Sequence, residues 1–386
     1  MRQYDFTTLP DRLKTNSVKW KEVQKDKDLL PLWVADMDFL TFPEMTKAFE
    51  DFAQYGVYGY SSPKESLFQS IIAWEKQEQD YLVERDALIL IEGVVPAISV
   101  AVQAFSKEGE AVLINTPVYP PFARTVKMNK RKLITNSLIE INGHFEIDFA
   151  QLEKDIKENA VKIFIFCSPH NPGGRVWSSE ELLKVGEICR KYGVILVSDE
   201  IHQDLALFGH KHHTINTVSD NFKDFTVLLS SATKTFNIAG TKNSFAVIEN
   251  PELRQAFKER QLANNQHEIS SLGLLATETA YTYGKPWLQE LKTVIEENIN
   301  YSLETLTKNS KIQVMKPEGT YLVWLDFSDY TDNHSALSRK IREEAKLILN
   351  DGLSYGREGK KHFRLNMAAP KEVIQEACQR LVETFA

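Results

Sequence analysis

In the run Ser230-Ser231-Ala232-Thr233-Lys234-Thr235-Phe236-Asn237, an apolar, strand-like stretch delivers a lysine into a cluster of small hydroxyl residues. An amine that is to act as a nucleophile near neutral pH must be partly desolvated, because burial disfavours its charged form. Hydroxyl and backbone donors beside it suit a phosphate-bearing aldehyde. The pattern points to a lysine that forms a Schiff base, with Ser231 as a neighbouring donor.

Other residues able to do chemistry follow two further strand-like runs, at the strand ends where open parallel sheets bind ligands. After Lys162 to Cys167 comes Ser168-Pro169-His170-Asn171-Pro172-Gly173-Gly174-Arg175, and after Val194 to Ser198 comes Asp199-Glu200-Ile201-His202. Each alone has a plain structural use as a turn or a helix cap. Three in succession describe a site. Gly93-Val94-Val95 stands between a run at Ala87 to Ile91 and a helix predicted over Pro96 to Phe105. Backbone N–H groups of Val94 and Val95 at that helix start suit a dianion, although a simple strand-to-helix turn has the same sequence pattern.

The elements that must position these residues read as an α/β protein. Candidate strands at Ala111 to Asn115, Lys162 to Cys167, Val194 to Ser198, Thr226 to Ser230 and Ser244 to Ile248 alternate with amphipathic helices, the pattern of a mostly parallel sheet covered on both faces. Leu182, Val185, Ile188, Cys189 and Tyr192 recur at helical spacing and Gly193 stops that helix, which makes one βαβ crossover. Beyond Pro286 the rhythm becomes a helix near Trp287 to Leu306, a strand at Thr320 to Asp326, a helix near Ser335 to Ala345, a strand at His362 to Asn366 and a last helix. The expected organisation is an N-terminal segment, residues 1–48, packing with a small α+β domain at 286–386, and a large domain at 49–285.

Composition narrows the function. The 386 residues are 42 % hydrophobic and 26 % charged with a net charge of -7, and no basic stripe offers a surface to nucleic acid. The N-terminus lacks the apolar core of a signal peptide and no window holds 18 uninterrupted apolar residues, so a cytoplasmic protein with no membrane partner is expected. Three scattered cysteines form no disulfide framework. His210, His212 and His213 lie in a polar loop without ligand spacing, so no metal is expected. Gly359-Lys360 lacks the earlier glycine of a phosphate loop, and neither a dinucleotide fingerprint nor a Gly-x-Ser-x-Gly elbow occurs.

Asn171-Pro172-Gly173-Gly174-Arg175, Asp199-Glu200 and Ser231-x-x-Lys234, in that order, resemble the fold-type I enzymes dependent on pyridoxal 5'-phosphate, with the aspartate aminotransferase-like fold. Val34-Ala35-Asp36-Met37-Asp38-Phe39, Ser198-Asp199-Glu200-Ile201-His202-Gln203-Asp204 and Lys234-Thr235-Phe236-Asn237-Ile238 are similar to the MalY/PatB group of carbon–sulfur β-lyases. The resemblance implies that Lys234 holds the cofactor and serves as base. It also implies that Asp199 pairs with the ring nitrogen, Asn171 donates to the ring hydroxyl and Tyr119 stacks on the ring face. Tyr60, in Tyr58-Gly59-Tyr60-Ser61, resembles a tyrosine that reaches the phosphate of a second subunit, which implies a homodimer. Arg364 resembles the arginine that grips the substrate carboxylate, a bidentate pairing that lysine reproduces poorly.

Two positions depart from many transaminases of this fold: His202 stands where they have tyrosine, and Lys242 where they have arginine. The histidine is a feature of the lyase-like group. The implied reaction is α,β-elimination from L-cystathionine, L-cysteine or a related S-substituted cysteine, giving pyruvate, ammonia and a thiol or sulfide. An aminotransferase shares the first proton abstraction and is the main alternative. A regulatory or partner-binding protein retaining the fold is another, against which the intact Lys234, Asp199 and Arg364 argue.

Overall fold

The computed structural model describes residues 2–386. Its principal sheet has seven strands: β1 (Leu88–Ile91), β2 (Ala111–Thr116), β3 (Lys132–Ser137), β4 (Ile163–Cys167), β5 (Ile195–Asp199), β6 (Thr226–Ser230) and β7 (Ser244–Val247). Their spatial order is β1-β7-β6-β5-β4-β2-β3, and β7 runs antiparallel to both neighbours while the other adjacent pairs are parallel. A central parallel strand is covered on both faces and needs apolar residues throughout. β4, Ile-Phe-Ile-Phe-Cys, is buried at every position. Its side chains divide with period two: Phe164 and Phe166 join one core cluster, and Ile163, Ile165 and Cys167 the other. Truncating Phe164 to alanine would cost about 3–5 kcal/mol, because the packed neighbours cannot collapse into the space.

Helices fill both faces. Helix α1 (Val94–Phe105) begins two residues before the predicted Pro96, since Gly93 rather than the proline ends the extended chain. Helix α2 (Ser179–Tyr192) opens with a capping box between Ser178 and Glu181 and stops at Gly193, which adopts φ +65°. Its buried face carries Leu182, Val185, Gly186 and Cys189.

A second sheet of four antiparallel strands holds β8 (Gln313–Met315), β9 (Leu322–Asp326), β10 (Asn350–Asp351) and β11 (His362–Asn366), in the order β8-β9-β11-β10. Arg364 pairs with Trp324 on one side and Asn350 on the other. Residues 2–42 contribute two short 3-10 turns and a two-residue strand, Leu30–Pro31, that runs parallel to Leu347–Ile348, before a helix over Pro43–Tyr55.

The two sheets meet at a bonded corner. Gly174 O accepts from both Glu318 N and Gly319 N at 2.9 Å, and Glu318 Oε2 accepts from Arg175 Nε at 2.8 Å and from Val176 N at 2.9 Å. Gly174 has φ +69°, and a Cβ there would lie 2.3 Å from Pro317 Cβ, so this position takes only glycine. Among the described residues no helix is long and apolar enough to cross a membrane.

Candidate active site

Beyond the C-terminal ends of β4, β5 and β6 lies a cavity of about 420 Å³. Its wall includes Gly93, Val94, Val95, Tyr119, Cys167, Asn171, Asp199, His202, Lys234 and Lys242. Thus eight of the residues singled out from the sequence, scattered from position 94 to 242, face one space.

β6 ends at Ser230 and a single helical turn, Ala232–Thr235, follows at once. Lys234 stands in that turn, partly buried by the surrounding elements, and its Nζ donates to Ala35 O at 2.7 Å. Burial, and after it the Arg364 guanidinium, pulls the amine down to about 8 against the opposing influence of the Asp36 and Asp199 carboxylates. Asp199 closes β5. Burial, reinforced by Glu200, pushes its carboxyl up to about 7, although Ile201 N donates to its Oδ1 at 3.1 Å and Lys234 favours the charged form.

His202 is neutral: burial, then Lys234 and Arg364, depress its imidazole to about 3. Its Nδ1 is buried without a hydrogen-bond partner. Asn171 Oδ1 accepts from Arg364 Nη1 at 2.9 Å, which leaves the Nδ2 donor over for a ligand in the cavity. Helix α1 starts without a side-chain cap at Gly93, so its first N–H groups, at Val94 and Val95, face the cavity wall unpaired by any capping side chain.

These features test whether a phosphate-bearing aromatic cofactor fits. A buried acid held by one backbone donor suits a cationic ring N–H, an uncapped helix start suits a dianion, and an orphaned imidazole nitrogen suits a ring substituent. The residues fit such a group.

Three predicted residues lie elsewhere. Ser231 does not line the cavity; its Oγ donates to Asn243 O at 2.7 Å and accepts from Thr233 N at 3.1 Å, capping the turn that carries Lys234. Arg364 stands behind Asn171, with Nη2 donating to Trp33 O and to Asn350 Oδ1, both at 2.7 Å, and with Nε buried and unpartnered. Tyr60 is 100 % exposed and lines a separate surface hollow that shares only Glu92 and Lys242 with the cavity.

Sequence reasoning assigned no role to several neighbours. Ala35 O receives the Lys234 amine and also the Tyr321 hydroxyl, at 3.0 Å. The Tyr355 ring lies 5.3 Å from the Arg364 guanidinium. Cys167 Sγ lies under the Asn171 turn, accepting from Asn171 N at 3.4 Å. Of these only Ala35 had any signal, as part of the Val34–Phe39 run.

Residues 27–381 match the family described as aminotransferase class I and II. Over 98 % of both chains the sequence is 39 % identical to cystathionine beta-lyase PatB of Bacillus subtilis, strain 168. Over 99 % of both it is 30 % identical to protein MalY of Escherichia coli, strain K12. The fold matches the crystal structure of cystalysin from Treponema denticola, which contains a pyridoxal 5'-phosphate cofactor, with a TM-score of 0.96 and 36 % identity, covering 99 % of this chain and 98 % of that one.

Proposed function

We propose that this chain, which belongs to the aminotransferase class I and II family, is a pyridoxal 5'-phosphate-dependent carbon–sulfur β-lyase acting on L-cystathionine, L-cysteine and related S-substituted cysteines. When bound, the cofactor supplies an aldehyde for an amine and a cationic ring that accepts the electron pair left by an α-proton. Lys234 Nζ would hold the aldehyde and, as a free amine, would be the base that takes the proton from the substrate Cα. Asp199 would keep the ring nitrogen protonated. Asn171 Nδ2 would donate to the ring hydroxyl, Tyr119 would cover the ring face, and the first N–H groups of α1, with Lys242, would receive the phosphate. Arg364, whose Nε has no protein partner, grips the substrate carboxylate.

One observation carries this reading: a partly buried amine lowered to about 8 and a buried acid raised to about 7 share one cavity, a pairing suited to covalent catalysis at neutral pH. The choice of elimination over amino transfer is supported by the neutral imidazole of His202 and by the name of the 39 % identical relative. With cystathionine the purified protein is expected to release homocysteine, pyruvate and ammonia without any keto-acid acceptor. Turnover that needs an acceptor such as 2-oxoglutarate, with no pyruvate from any sulfur substrate, would instead identify an aminotransferase.

Residues 49–285 are read as the large, cofactor-binding domain and 286–386, with residues 1–48 packed on it, as the small one. The active unit is read as a homodimer in which Tyr60 reaches the partner's cavity. Support comes from the exposed apolar run Tyr55, Val57, Tyr58 and Tyr60, since such a patch favours a protein partner. Cys167, Cys189 and Cys378 are buried free thiols that suit the reducing cytoplasm.

A further inference from the structure

Residues Trp33–Phe39 form a strap with no regular hydrogen-bond ladder, yet side chains from distant elements occupy its carbonyls in turn. Arg364 Nη2 takes Trp33 O at 2.7 Å, Asn366 Nδ2 takes Val34 O at 2.7 Å, Lys234 Nζ takes Ala35 O at 2.7 Å, and Asn237 Nδ2 takes Met37 O at 3.1 Å. On the opposite side the strap is held by charge. Lys19, fully buried, donates to Asp38 Oδ2 at 2.6 Å and to Asp36 O at 3.2 Å. Arg12 makes a bidentate pair with Asp36, at 3.0 and 2.7 Å, and reaches Asp38 Oδ1 at 2.7 Å. Trp20 Nε1 adds a 3.0 Å bond to Asp38 Oδ1, and Trp33 Nε1 donates to Lys19 O at 3.1 Å.

We propose that Arg12 and Lys19 are positioning residues for the reaction: with Asp36 and Asp38 they close a neutral network of two cations and two carboxylates that fixes the strap on which Lys234 and Arg364 hang. This rests on the reading of Lys234 as the base and Arg364 as the carboxylate clamp. Neither Arg12 nor Lys19 touches the cavity. Their effect passes through the Trp33 and Ala35 carbonyls, which set where the guanidinium and the amine point, and through the field of Asp36. The charged groups that face Lys234 are Asp36 from the strap, Asp199 from β5 and Arg364 from β11, with the neutral His202 beside them. Removing a cation from the network leaves its carboxylates less neutralised, and the excess negative charge favours the ammonium form of Lys234.

The test uses Arg12→Gln, Lys19→Met and the charge-preserving Arg12→Lys in the full chain. In cofactor-free protein, reductive methylation of Lys234 is followed by peptide mass spectrometry across pH, and kcat and KM are measured with cystathionine after reloading. Expected for Arg12→Gln and Lys19→Met is an upward move of the methylation midpoint by at least about half a pH unit, with kcat/KM down about tenfold or more; Arg12→Lys brings the midpoint back. Should Lys19→Met fail to fold, Arg12→Gln, whose side chain reaches the surface, decides. A folded Arg12→Gln protein with the wild-type midpoint and wild-type kcat/KM overturns the proposal. If the wild type lacks lyase turnover while the midpoint still moves, the lyase reading falls and the positioning role stands.

Discussion

Arg364 and Asn171, 193 residues apart in sequence, are joined by a 2.9 Å hydrogen bond from the guanidinium Nη1 to the amide Oδ1. The donor from the small sheet thereby fixes which way the Asn171 amide faces, and with it the group offered to the cavity. On the proposed reading, clamp and cofactor contact are one unit.

For that reason Arg364→Ala is expected to lower kcat/KM by about tenfold to a hundredfold, the worth of a charge-assisted pairing of roughly 1.5–3 kcal/mol. Arg364→Lys should recover little, because a point charge cannot serve Asn171, Asn350 and a carboxylate together. Steady-state kinetics with cystathionine give the answer; wild-type efficiency in Arg364→Ala would place the clamp elsewhere.

The amine of Lys234, at about 8, sets a pH dependence in cofactor-free protein. Below that pH the ammonium form dominates and cannot attack an aldehyde, so the rate of pyridoxal phosphate capture should climb with pH and level off above about 8. Stopped-flow absorbance measures it. Lys234→Ala should show neither the visible band that borohydride bleaches nor measurable turnover.

Asp199 makes an opposite pair of predictions. Its folded carboxyl sits at about 7 against an ordinary 3.8, so between those values the folded chain holds more protons than the unfolded one, and cofactor-free stability falls as pH rises through that window. Asp199→Asn removes the buried charge and should raise the cofactor-free Tm at pH 8 by a few degrees while reducing turnover at least about a hundredfold. Calorimetry at pH 5 and pH 8, with and without the substitution, reads the difference; a variant no more stable than wild type at pH 8 would contradict it.

Tyr60 tests the assembly. Light scattering should report a dimer, and Tyr60→Phe should lose cofactor faster on dialysis than the wild type. A fully active monomer at assay concentration would show that the cavity is complete within one chain.

That Lys234, Asp199 and Asn171 share a cavity was legible because each follows an apolar strand whose composition gives it away, and because strand ends are where such sheets bind ligands. β6 and β11 fall where the apolar runs placed them, and β2, β4 and β5 within a residue or two. The strap was illegible as structure: Val34–Phe39 has neither helical nor alternating periodicity, since its conformation is dictated by Asn237, Asn366 and Arg364, some 200 to 330 positions away. β10, two residues long, carries no pattern of its own, so Asn350 could not be foreseen beside Arg364. Ser231 was read as a donor to ligand, whereas its hydroxyl serves the turn beneath Lys234; the sequence of a capping serine and a ligating one is the same.

The bonded corner at Gly174 and Glu318 bears on how the two sheets could move. With both segments stapled there through backbone and carboxylate, a rotation of the four-stranded sheet against the seven-stranded one that keeps these bonds would pivot about that point. Arg364 then travels as the jaw of a lever, toward or away from Lys234 on the other sheet, and the fulcrum is a glycine with no room for a side chain. A residue larger than glycine at position 174 would wedge the fulcrum and change the reach of the jaw without altering one group that contacts the substrate.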